Sequence, residues 1–253
     1  MRVGMTISFQ ADFDQDDYFI ALFDKFIQLT PSWVTVNLKR HPWSTKSRKI
    51  LEQYRHHQHI FLMLNDNADK IETGYVASKA FRYFTIVQES AQAKFLSGIP
   101  LDCFNHRSFL SCYIFNYDYY LVQSQKSASQ WNYQNIDPRI QETLKRTPTK
   151  PGLLEPEYLI EFNPGSSKPT TYGWLKPGCE MWFGTQFYNL ISKEKIVSFP
   201  YASEIRQYPE DIAYVKLYDD IFQPFTPDNI FRQWKWKEFI DYDALIKKFD
   251  PFV

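Results

Sequence analysis

The opening of the chain constrains the fold more than any other stretch, because its hydrophobic period changes there. Val3, Met5, Ile7 and Phe9 recur at every second residue, the pattern of a strand with one buried face. Over residues 16–29 the spacing lengthens to that of a helix. Tyr18, Phe19, Leu22, Phe23, Phe26 and Leu29 form one stripe, while Asp17, Asp24, Lys25 and Gln28 face away. Asp14 or Asp16 caps this helix and Pro31 stops it. Residues 33–38 read as a second strand, 47–57 as a helix with a charged face, and His59–Leu64 as a buried strand. This β-α-β-α-β opening predicts an α+β fold with a mixed β-sheet and flanking helices.

The remainder reads less evenly. Residues 65–78 are polar and loop-like, 81–88 and 109–122 have the β-branched and aromatic runs of longer strands, and 90–97 fit a short helix. Residues 139–146 are helical in composition, with Pro138 near the first turn. Pro148, Pro151, Pro156, Pro164, Pro169 and Pro177 break the stretch 147–178 into a long connection around one short strand, 158–162. Further strands are expected at 181–183 and 212–218, and two C-terminal helices at 228–239 and 241–249. Strands on both sides of the broken stretch favour a single α+β domain over 1–253, with a sub-boundary near 147–178 as the alternative.

Composition narrows the function classes. Phe 22, Tyr 17 and Trp 7 make 18% of the chain aromatic, so some large rings must reach the surface, where they serve protein interfaces and stacking. Lys+Arg 29 balance Asp+Glu 29, and this zero net charge lacks the basic excess of a general phosphate-backbone binder. Nucleic acid is therefore not expected as a partner. The longest apolar runs, 18–23 and 60–64, are far short of the roughly 20 residues that cross a bilayer, so no membrane association is expected. The N-terminus alternates too much for a secretion signal. Cys103, Cys112 and Cys179 are odd in number and share no Cys-x-x-Cys spacing. Both features point to a reducing compartment, the cytoplasm.

Motifs for chemistry are sparse. His57 and His59 would share a strand face and could offer two imidazoles to zinc, with His56 beside them, but no third ligand stands at a recognisable spacing. Asp12, Asp14 and Asp16 begin like a calcium loop, yet Asp17 and Phe23 occupy the positions that need glycine and glutamate. No metal site is predicted; the aspartates instead stabilise a helix N-terminus, or form an acidic patch for a basic partner. Cys103 and His106 lie close in sequence, whereas catalytic pairs are usually distant. Glu210 with Asp211 and Asp219 with Asp220 read as turn charges. Eight glycines provide no nucleophile elbow, dinucleotide fingerprint or phosphate loop, so no catalytic residue and no cofactor is assigned. On the last long helix Ile230, Phe231 and Trp234 share a stripe and Trp236 points away from it. One tryptophan should be core; Trp236 either packs against the following helix or serves as an aromatic anchor flanked by basic residues.

The segments Tyr172-Gly173-Trp174, Glu180-Met181-Trp182-Phe183-Gly184, Phe187-Tyr188, Ser198-Phe199-Pro200 and Ala213-Tyr214-Val215-Lys216-Leu217-Tyr218-Asp219 resemble immunity proteins of bacterial polymorphic toxin systems. The resemblance covers about the C-terminal third. It implies a cytoplasmic α+β protein that is not an enzyme and blocks a toxin domain by direct binding. The expected contact residues are Asp12, Asp14, Asp16 and Asp17 against a basic partner surface, with Trp236 as anchor; oligomeric state is left open. The alternatives are a hydrolase whose active site assembles only in the fold, marked by a pocket of convergent carboxylates, and a carbohydrate-binding or structural module, marked by a row of exposed rings.

Overall fold

The computed structural model describes residues 1–11, 33–36, 39–42, 59–64, 69–76, 80–89, 104, 106–124, 137–145 and 158–252. Among these residues ten strands form one sheet: β1 (Arg2–Gln10), β2 (Trp33–Val36), β3 (Lys39–Pro42), β4 (His59–Leu64), β5 (Asp69–Val76), β6 (Phe81–Glu89), β7 (Phe109–Asn116), β10 (Glu180–Phe183), β11 (Glu204–Tyr208) and β12 (Ile212–Lys216). Their spatial order is β11-β12-β10-β7-β1-β6-β5-β4-β2-β3. A separate hairpin pairs β8 (Lys168–Thr170) with β9 (Gly173–Leu175).

The α+β class and the two C-terminal helices match the expectation from sequence. The mixed sheet does not: every neighbouring pair is antiparallel. β1 and β2 do run the same way, but β6, β5 and β4 stand between them, because close-lying strands such as β2 and β3 pair as hairpins instead. The helices expected at 16–29, 47–57 and 90–97 lie outside the described residues.

β1 is the centre of the sheet, between β6 and β7. Its alternation works as expected on one face, where Phe9 meets Phe84 and Phe109 edge-on at 6.0 and 6.1 Å. The opposite face is buried too, which its small residues allow. A Cβ at Gly4 would stand 2.8 Å from the Phe115 ring. Next to it, Thr6 and Thr85 share a hydrogen bond of 3.0 Å across the strands.

Three other readings are corrected. Part of the polar 65–78 stretch is strand β5, because its pairing with β4 and β6 outweighs its polar composition. The expected strand 109–122 ends at Asn116, whose Oδ1 accepts from Tyr119 N at 3.0 Å and so caps helix α1 (Tyr117–Ser124). Residues 158–162 contain one bridge residue, Tyr158, and a 3-10 turn, Ile160–Phe162, rather than a strand. Pro138 opens helix α2 (Pro138–Glu142) as expected.

Across the broken stretch, β10 pairs with β7, so strands from both sides of it belong to one sheet. The β8–β9 hairpin lies over this sheet, with Trp174 edge-on to Phe81 and Tyr83 and its carbonyl accepting from the Tyr113 hydroxyl at 2.7 Å. Helices α3 (Lys193–Val197), α4 (Pro227–Phe239) and α5 (Tyr242–Lys248) follow. No helix among the described residues is long and apolar enough to cross a membrane.

Candidate functional site

Helix α4 starts where Thr226 Oγ1 accepts from Asn229 N at 3.4 Å, with Pro227 in its first turn. Its sheet-facing side carries Trp236, 1% exposed, stacked on Phe183 at 5.9 Å and edge-on to Phe199 at 5.2 Å. This corrects the reading of Trp236 as a partner anchor: ring packing places it in the core, out of reach of another molecule. The surface tryptophan is Trp234, 37% exposed.

At its C-terminal end α4 turns through Asp241, which takes the left-handed backbone conformation at φ 58°. Aspartate tolerates that conformation better than most residues, and the turn folds α5 back beside α4. The corner borders an open pocket of about 420 Å³, lined by Trp234 and Tyr242 and by the acidic residues Glu161, Glu238, Asp241 and Asp243. Glu161 comes from the 3-10 turn and the rest from α4, α5 and the link between them. Glu238 pairs with Lys235 at 2.7 Å and Asp241 with Lys195 at 2.8 Å. Among the described residues Glu161 and Asp243 form no ion pair, and the site keeps an acidic bias.

Lys237 also lines this cavity, and is 4% exposed. Its Nζ donates to Ser166 Oγ at 2.7 Å and to Asn163 O at 2.9 Å, and lies 4.6 Å from the Tyr242 ring centre. Burial pulls its pKa down to about 7; Asp243 opposes that shift and Lys168 adds to it. Burial likewise raises the Tyr242 phenol far above its ordinary value, so the ring stays neutral.

The other sequence candidates do not converge here. Asp12, Asp14, Asp16 and Asp17 lie outside the described residues, as do His56, His57 and Cys103. His59 starts β4, and its side chain is not described. His106 Nδ1 accepts from Ser108 N at 3.1 Å and its ring meets Phe9 edge-on. Cys179 is buried and its Sγ donates to Tyr218 O at 3.1 Å, while burial pushes the thiol well above its usual range. Asp211 sits in the β11–β12 turn and pairs with Lys193; Asp219 pairs with Lys216, and Asp220 accepts from Phe222 N at 2.8 Å. These acids are local turn and loop partners. Among the described residues no group of three His, Cys, Asp or Glu side chains could hold a metal.

Of the pocket residues that the sequence reading did not name, Glu238 carries a legible signal, standing at i+4 from Trp234 on the same helix face. No family model matches the chain, and no curated protein or solved structure matches it.

Proposed function

We propose that the protein is a binding protein that neutralises a toxin enzyme, as an immunity protein does, and that the α4–α5 corner faces its partner. The observation that supports this reading is the joining of an exposed Trp234 to a pocket whose lining includes four acidic residues, Glu161, Glu238, Asp241 and Asp243. An aromatic anchor beside a cleft fits the centre of a protein interface, and acidic groups around it fit a basic surface such as that of an enzyme that holds phosphates. Asp12, Asp14, Asp16 and Asp17 carry the same chemistry elsewhere in the sequence and belong to the same proposal.

The test is protection. A candidate toxin enzyme, sought among the genes that neighbour the one for this chain, is expressed in a host with wild-type protein or with Trp234→Ala. The proposal expects wild type to restore growth and Trp234→Ala to weaken direct binding by about 30-fold or more, the effect of losing a hot-spot tryptophan. Equal protection by both, or none by either, contradicts it.

The same carboxylates favour a second reading, a hydrolase acting in this pocket. That reading requires turnover by the purified protein alone, abolished by Asp243→Asn. The carbohydrate-binding alternative has less support, since the exposed Tyr201 and Phe231 rings meet at 89° instead of forming a flat row.

A further inference from the structure

Among the described residues the sheet ends in two strands that differ in how they are guarded. β3 at one end, Lys-Arg-His-Pro, has the basic residues and proline that discourage further pairing. β11 at the other end, Glu-Ile-Arg-Gln-Tyr, has no proline and only one residue of each charge. Its inner side pairs with β12 from Glu204 to Tyr208. Alternate N–H and C=O groups of an antiparallel edge strand point outward, and among the described residues nothing hydrogen-bonds to them. Arg206 and Gln207 are exposed and the other three residues half-exposed.

We propose that β11 pairs antiparallel with β11 of a second copy of this chain, centred on Ile205, joining two sheets into one. A two-fold axis perpendicular to the sheet keeps each face on its own side, so only registers centred on a residue are allowed. Centring on Glu204 or Arg206 sets like charges against each other. A centre at Gln207 puts Ile205 opposite Pro209, which has no N–H to donate. The Ile205 register sets Glu204 opposite Arg206 of the second copy, twice, and the two Ile205 side chains against each other. Glu204 and Arg206 already pair within one strand, so both lie on the same face and reach the same partner positions.

A second feature favours the same edge. Tyr201, 42% exposed, precedes β11 and meets Phe231 of α4, 45% exposed, at 5.4 Å. Arg232 fastens this pair by donating to Tyr201 O at 2.9 Å and Leu217 O at 3.3 Å. In the Ile205 register Tyr201 falls opposite Pro209 of the second copy, which would cover exposed ring surface at both ends of the seam. This surface is separate from the α4–α5 cavity, and the inference stands whether or not the toxin-partner reading holds.

Sedimentation equilibrium of the whole chain tests it. Wild type is expected to reach twice the monomer mass of 30.2 kDa as concentration rises. Arg206→Glu should raise the dimer dissociation constant about tenfold or more, and Glu204→Arg combined with Arg206→Glu should bring it back to within about threefold of wild type. Ile205→Cys should form an interchain disulfide on mild oxidation and Gln207→Cys should not, because only residue 205 faces itself across the axis. Circular dichroism melts establish that each variant folds. A wild-type monomer at about 100 μM, far above the range of specific association, overturns the proposal. So does a dimer that ignores the charge reversal and leaves Ile205→Cys unlinked, or one that Arg206→Glu breaks without rescue by the double change.

Discussion

Trp234 and Trp236 stand two residues apart on α4, one at the mouth of an acidic pocket and the other stacked on Phe183 and edge-on to Phe199. The same contrast separates two buried lysines. Lys176 is enclosed beside the sheet, with Nζ 3.5 Å from the Phe115 ring centre, 4.8 Å from that of Tyr120 and 3.2 Å from Thr6 Oγ1, and no carboxylate pairs with it among the described residues. Lys237 lines the cavity and faces Asp243. Burial depresses both amines, yet only one borders open space. Residue type and burial do not separate a structural group from an available one; what lies on the far side of the group does.

The largest expected effect lies on the closed side. Trp236→Ala should cost about 3–5 kcal/mol in denaturant unfolding, the usual cost of removing a packed tryptophan, while Trp234→Ala should stay within about 0.5 kcal/mol. Equal losses would contradict the placement of Trp236 inside and Trp234 at the surface.

Next come the lysines. Lys176→Met should stabilise the fold by about 1–3 kcal/mol near neutral pH, because it replaces a buried amine lacking a counter-ion with an apolar chain of similar length. Lys237→Met should not stabilise, since it removes the donor to the buried Ser166 Oγ and one of the donors to Asn163 O. A smaller effect is the pH response. The Lys237 pKa is about 7 in the folded chain against an ordinary 10.5, so between those values the unfolded chain binds more protons and stability rises with pH. The slope is at most about 1.4 kcal/mol per pH unit for each such lysine, and it is lost as pH falls through 7. Buried tyrosines with raised pKa, such as Tyr113 and Tyr119, act oppositely above their ordinary value of 10.0, so unfolding is best compared at pH 7 and pH 9. Lys237→Met should flatten that difference. The smallest effect is Asp243→Asn, which removes an attraction for the ammonium and should move the Lys237 pKa further down in an NMR titration.

Strand β1 was legible because its alternation is strong, and α4 and α5 were read at 228–239 and 241–249, close to their observed bounds, although the Thr226 cap and Pro227 of α4 went unread. β5 was not legible, because Asp69, Lys70, Glu72 and Thr73 read as loop until β4 and β6 supply pairing on both sides. The break after Asn116 was present in the sequence as a capping residue, but the aromatic run Tyr117–Tyr119–Tyr120 reads equally as strand. For the site, the helical wheel separated the two tryptophans without telling which was inside. That choice depends on where Phe183 and Phe199 stand, a tertiary fact. Glu161 joins the cavity from far along the chain, so no local spacing could have marked it.

On the proposed function, the acidic corner beside Trp234 receives a basic partner. The test is the association rate of the proposed toxin enzyme, measured by stopped flow across ionic strength, for wild type and for Glu161→Gln with Asp243→Asn. Electrostatic steering predicts a wild-type rate that falls about tenfold or more as salt rises, and a variant that associates more slowly with a shallower salt dependence at an unchanged melting temperature. Identical rates and salt slopes for the two proteins would contradict it.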